Sequence, residues 1–251
     1  MVQMGTQEKR LRGKTLRVAR KLEKFLGVPT PSFRKAPPLE MLIATLLSQN
    51  TNDRNSHRAY VQLRQRYPRW EDVLYASTRE LANIIRVGGM ANQKSARIKK
   101  ILRTVWDRHG RFDLRFLKKM TDKAVYEELL SFDGIGLKTA ACVMVFSLGR
   151  DVFPVDTHIH RICGRLGLAP NCKTPEKTFI FMKGIVPRAR AYAFHTNLIR
   201  FGRKICKAQN PLCGICPLYD DCEWTEKSRF AAITRSTKEA VDVDFMLLDN
   251  V

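Results

Sequence analysis

Apolar residues recur at helical spacing along nearly the whole of this 251-residue chain, and that periodicity constrains the fold more than any other feature. "RVARKLEKFL" (17–26) sets an apolar face against a basic one. "PPLEMLIATLLSQ" (37–49) opens on prolines, which suit a helix entrance, and is then apolar enough for a buried core helix. The amphipathic pattern returns in "RAYVQLRQRY" (58–67), "TRELANIIRV" (78–87), "KSARIKKILRTVWDRHG" (94–110) and "DKAVYEELLSF" (122–132). Its breaks fall at Tyr67-Pro68, Gly88-Gly89, Gly110 and Gly134-Ile135-Gly136, where glycine or proline ends a helix. Thr78 and Thr121 stand where N-caps belong. No alternating strand pattern of useful length and no internal repeat intervenes, so the expectation is an all-α protein.

Charge narrows the partner. Lys+Arg number 45 against 24 Asp+Glu, a net charge of +21. An excess of that size attracts polyanions, nucleic acid before a membrane surface. It is uneven: residues 1–24 hold eight Lys/Arg against two Glu, whereas residues 239–251 hold four acids and no base, which marks the C-terminal tail as a separate element. No stretch approaches the length of a membrane span, and the N-terminus has no apolar secretory core.

Four of the seven cysteines crowd one short segment, "CKAQNPLCGICPLYDDC", spaced Cys206-x6-Cys213-x2-Cys216-x5-Cys222. Four thiolates so placed can close around one metal centre, the x2 pair giving adjacent ligands and the longer gaps wrapping the loop around the other faces. Spacing alone leaves tetrahedral zinc, an iron–sulfur cluster and free thiols open. Lys207 is the one base inside the interval, with Arg200, Arg203 and Lys204 just upstream, a setting from which cations and amides reach phosphates. Cys142, Cys163 and Cys172 read as small buried hydrophobes.

In "LLSFDGIGLKTAACVMVF" (129–146) two apolar helices flank a turn containing Gly134 and Gly136. Glycines there allow positive φ and close backbone approach, and the second helix offers unpaired N–H groups to an anion such as a DNA phosphate. Lys138 follows in the first turn, where the helix field disfavours a cation. It is read as a snorkelling side chain, as a phosphate contact, or as an amine nucleophile able to form a Schiff base. In "FPVDTHIHRICGRLGL" (153–168), Asp156 precedes a helical pattern. It is read as an N-cap and as a carboxylate that assists chemistry at Lys138, roles that a rigidly held capping aspartate combines. His158 and His160, two residues apart, do not share a helix face and make no metal pair.

Taken together, "GIGLKTA", "FPVDTHIHR" and the cysteine spacing resemble the endonuclease III family of helix–hairpin–helix DNA glycosylases over roughly residues 20–225. The resemblance implies two helical lobes with a DNA cleft between them. A six-helix barrel with the helix–hairpin–helix spans 32–151, and a cluster lobe joins 1–31 to 152–225, with a tail at 226–251. It implies a four-iron four-sulfur cluster on Cys206, Cys213, Cys216 and Cys222. It further implies that Lys138 attacks C1′ of a flipped, damaged nucleoside with Asp156 assisting, and that β-elimination then cuts the strand. The implied substrates are oxidised or ring-saturated pyrimidines in double-stranded DNA. A monomer is expected, placed in the cytoplasm or nucleoid, or in the nucleus of a eukaryote. Asn50 of "LLSQNTNDRN" matches the family's gap-filling glutamine, and Met90 of "VGGMANQKSARI" its apolar wedge. Asp133, where the hairpin often has proline, departs from the pattern, as do the weakly basic cluster interval and the long tail. The rival readings are a monofunctional mismatch or alkylated-base glycosylase and a non-catalytic iron–sulfur DNA-binding protein.

Overall fold

A computed structural model describes residues 5–31 and 35–234, and every regular element among the described residues is helical. The acidic stretch 239–251 lies outside the described residues. The described residues divide into two compact units, one built from residues 5–30 and 151–234, the other from Pro31–Arg150.

The Pro31–Arg150 unit is organised around α2 (Pro38–Leu47). Nine of its ten residues are buried, Glu40 being the exception, as its strongly apolar composition requires. It packs against α3 (Asp53–Arg66), α6 (Ala91–His109) and α8 (Leu137–Cys142). The short helices α4 (Trp70–Tyr75) and α5 (Thr78–Ile84) lie on α6, and α7 (Asp122–Leu130) packs on α8. Ser77, not Thr78, caps α5 through its side-chain oxygen, because it is Ser77 that has the extended backbone from which a hydroxyl reaches the Glu80 amide. Thr121 caps α7 as expected.

Glu40 fixes the outer wall of α2. It accepts hydrogen bonds from Tyr60 Oη and from Trp70 Nε1 (3.0 Å) and pairs with Arg64 at 3.2 Å, while Arg64 also stacks over Trp70. Burial, with Glu40 alongside, pushes the Tyr60 hydroxyl well above its ordinary pKa. Glu40→Ala strips three half-buried donors of their acceptor, and equilibrium urea unfolding is expected to register a loss of about 3 kcal/mol.

The second unit packs α1 (Thr6–Leu26) along α11 (Ala191–Lys204), with α9 (Thr157–Arg165) on α11 and α10 (Pro175–Met182) on α9. Val18, Ala19 and Leu22 form the buried stripe of α1, and Gly27 ends the helix at φ 82°, its carbonyl taken by Asn197 Nδ2. α12 (Lys227–Thr234) packs against a short 3-10 turn, Cys213–Ile215, in the cysteine loop.

Candidate active site and cluster loop

The hairpin between α7 and α8 is held from below. Phe132 and Ile135 are buried, and the Ile135 amide donates to Phe132 O at 3.2 Å, closing the turn. Gly134 sits at φ +74°, a backbone conformation that favours glycine, and a Cβ there would lie 2.7 Å from Arg97 Nε, so any larger residue would also displace that side chain. Gly136 is the N-cap of α8 and, lacking a side chain, leaves the first-turn amides without a side-chain acceptor. After α8 the helix widens into a buried π turn, Val143–Ser147, anchored where Ser147 Oγ donates to Ala36 O at 2.5 Å.

Lys138 lies in the first turn of α8, half-buried, and its amine makes no hydrogen bond or ion pair with any described residue. The adjoining positions are tied to α2: Gln49 Nε2 donates to Gly134 O (3.4 Å) and to Thr139 Oγ1 (3.3 Å). Nothing in the sequence marks Gln49, because a polar residue just past a core helix carries no signal of the partners it finds 85 and 90 positions away.

Asp133 has a partner that its turn position did not reveal. Its carboxylate stands 3.5 Å from Lys100 Nζ of α6, both groups exposed. With Arg97 against Gly134, α6 brings two cations to the hairpin. Asp133→Asn releases Lys100, and filter binding to a duplex is expected to tighten about two-fold at low ionic strength, with the gain fading as salt rises.

Asn50 and Met90 meet: Asn50 Nδ2 donates to Met90 Sδ at 3.4 Å, and both residues hold left-handed backbone, φ 51° and 50°. Met90 is 47% exposed, so it does not fill a core gap.

In the other unit, Asp156 is the N-cap of α9, its Oδ1 accepting from the Ile159 amide at 2.8 Å. The approach to it is clamped, since Phe153 stacks on Phe194 and His195 Nδ1 bonds Pro154 O at 2.9 Å. Asp156 is thereby held as a fixed acceptor. His158 and His160 serve separate partners, Arg161 at 3.1 Å and Thr178 Oγ1 at 2.8 Å.

Cys206, Cys213, Cys216 and Cys222 line one pocket with Leu166, Phe201, Pro211 and Leu218, and none is disulfide-bonded. Among the described residues no three such side chains converge on a single-ion site. Burial pushes the Cys216 thiol up to about 12 and raises Cys213 and Cys222. The loop's own fold is slight, one 3-10 turn and a few reverse turns, and it is fastened from outside. Arg165 stacks over Trp224 at 3.9 Å while donating to Cys206 Sγ (3.3 Å) and Lys207 O (2.8 Å). Lys227 donates to the carbonyls of Tyr219 and Cys222, and Asp221 is bonded by Arg17 and Lys21 of α1. A soft, largely apolar cage of four free thiols fits an iron–sulfur cluster. Cations that the 206–222 interval lacks thus come from flanking helices, with Lys207 exposed beside them. Cys142 and Cys163 are buried as expected, but Cys172 is partly exposed, past the end of α9 where the chain leaves the core.

Residues 43–188 match the family model for "HhH-GPD superfamily base excision DNA repair protein", and 206–222, which runs from the first of the four cysteines to the last, matches "Iron-sulfur binding domain of endonuclease III". The chain belongs to the endonuclease III family. Endonuclease III of Thermotoga maritima is 35% identical over 76% of this chain and 85% of its own. A candidate DNA glycosylase of Arabidopsis thaliana is 38% identical over 67% of this chain, a match that spans 57% of the plant protein. Solved structures of endonuclease III on DNA are similar to the chain, both as a non-covalent complex (26% identity, TM-score 0.75, 87% of this chain and 97% of that one) and as a trapped covalent intermediate (26%, 0.73, 90% and 99%). The cofactor of this endonuclease III family member is a four-iron four-sulfur cluster. No described helix is long and apolar enough to cross a membrane.

Proposed function

We propose that this chain is a bifunctional DNA glycosylase and abasic-site lyase that removes oxidised or ring-saturated pyrimidines from duplex DNA. The observation that carries the reading is Lys138: an amine free of described partners, in the first helical turn beyond a glycine hairpin. Such an amine is placed to act as a nucleophile rather than to hold the fold together. The trapped covalent endonuclease III–DNA intermediate supports the same chemistry, and the pyrimidine branch rests on the resemblance carried by "GIGLKTA" and "FPVDTHIHR".

In the proposed sequence the Lys138 amine attacks C1′ of the flipped nucleotide as the N-glycosidic bond breaks and the base leaves with the bonding pair. The sugar ring opens to a Schiff base on Nζ. Loss of a C2′ proton then expels the 3′ phosphate, and water releases the lysine. Asp156, fixed by its capping bond, is assigned to stabilise the positive charge that develops on the sugar and to manage proton transfer. Gly134, Gly136 and Lys207 are assigned to phosphates, Asn50 and Met90 to the space and step left by the flipped base. The four cysteines would hold the cluster, which orders the loop around Lys207 when bound. The acting form is taken as a monomer.

A borohydride-trapping panel over duplexes carrying a saturated thymine, an oxidised cytosine, an oxidised purine and a mismatch tests this. The pyrimidine lesions are expected to give the covalent adduct and cleaved strand. Base release that leaves the strand intact until alkali is added would replace the reading with a monofunctional one.

A further inference from the structure

Lys94 is the one lysine buried among the described residues, 2% exposed, in the first turns of α6. Among the described residues no carboxylate pairs with it. Its Nζ donates instead to Leu47 O and to Gly88 O, each at 2.7 Å. Leu47 is the last residue of α2, three before Asn50, and Gly88 closes a 3-10 turn two residues before Met90. Both carbonyls are ends of helical turns, where the partial negative charge of the helix terminus favours a cation. Burial without a counter-charge pushes the amine down to about 8, so this cation is held at a cost that packing alone would not require. Beyond these two carbonyls the backbone enters conformations that side chains resist, Asn50 at φ 51° on one side and Gly89 and Met90 at φ 69° and 50° on the other. A single buried ammonium thus ties the roots of the two turns whose tips meet at the 3.4 Å contact between Asn50 and Met90.

We infer that Lys94 is a positioning residue for the opposite-strand contacts, setting the spacing of the Asn50 and Met90 turns so that the pair enters the duplex as one unit. The inference rests on the reading of Asn50 as gap filler and Met90 as wedge. A Met at 94 keeps the length of the chain and removes the donor. Displacing a positioning element by an ångström can cost about 10²-fold, so K94M is expected to lower kcat/KM on a duplex abasic site by roughly that factor. A single-stranded abasic oligonucleotide has no opposite strand to fill or wedge, and on it the loss should be at least about ten-fold smaller. The fluorescence rise of 2-aminopurine placed opposite the lesion, which follows unstacking of that base, should be lost in K94M in parallel. N50A/M90A, at two surface positions, supplies the reference. If the double variant shows no duplex-specific loss, the reading of the pair fails. If it shows that loss and K94M is impaired equally on both substrates, the inference about Lys94 fails. K94Q keeps one bridging amide and should fall between K94M and wild type; a chain that does not fold with either Met or Gln at 94 overturns the positioning role in favour of a purely structural one.

Discussion

Lys138→Ala should abolish borohydride-trappable adduct and strand cleavage, and should slow base release by about 10⁴-fold or more, the scale on which loss of an acting nucleophile falls. Duplex affinity should change little, since one cation removed from a chain of net charge +21 lowers the salt slope by about one. The geometry explains why the loss should be confined to chemistry. Lys138 is half-buried on a turn whose shape comes from Phe132, Ile135, Gly134 and the Gln49 bonds. Its amine contributes no bond among the described residues, so truncation leaves the hairpin intact. Thermal unfolding should therefore move little while turnover disappears. A variant that keeps its lyase activity, or one that loses activity together with its fold, contradicts the assignment.

Cys216→Ala should have the next largest effect, through the other unit. The cysteine loop holds one 3-10 turn of its own, and Cys216 lines the same pocket as Cys206, Cys213 and Cys222, so its removal takes one of four ligands from a segment with little structure of its own. Structural zinc supplies on the order of 10 kcal/mol of folding free energy to zinc-finger peptides, and a centre held by four thiolates orders a loop by the same coupling of binding to folding. The variant is expected to lack the visible charge-transfer absorption, to be cut by protease within 206–222, and to bind duplex more weakly as Lys207 loses its fixed place. The Pro31–Arg150 unit carries its own buried core around α2 and should keep its helices, which far-UV dichroism of the protease-resistant remainder would register. A colourless wild-type protein that contains zinc would contradict the cluster.

Much of this was legible in the residues, and the unread parts share a physical cause. Helix α2 announced itself because nine buried positions in ten leave a strongly apolar composition, and α1 because Val18, Ala19 and Leu22 keep the 3.6-residue period. The Asp156 cap was legible because an N-cap is a local bond, three residues long. Lys94 was hidden by the same logic: in "KSARIKKILR" it looks like one more cation on a basic face, and nothing local reveals that Leu47 O waits 47 residues away. Asp133 needed Lys100, thirty-three positions earlier, and the cluster loop needed Arg165 and Lys227 from outside its interval. The cap of α5 slipped by one residue because Ser77 and Thr78 are chemically interchangeable and backbone direction alone selects between them. The π turn after α8 leaves no composition mark at all, since Val143–Ser147 reads as ordinary buried helix.

The central claim is that one particular amine forms the covalent bond to DNA, and peptide mapping of the trapped adduct tests it most directly. Borohydride reduction on a lesion-bearing duplex, nuclease trimming, proteolysis and mass spectrometry locate the residual sugar on a single peptide. The sugar is expected on Lys138, within the hairpin–α8 peptide. A sugar mapped to another lysine or to the N-terminal amine would contradict it.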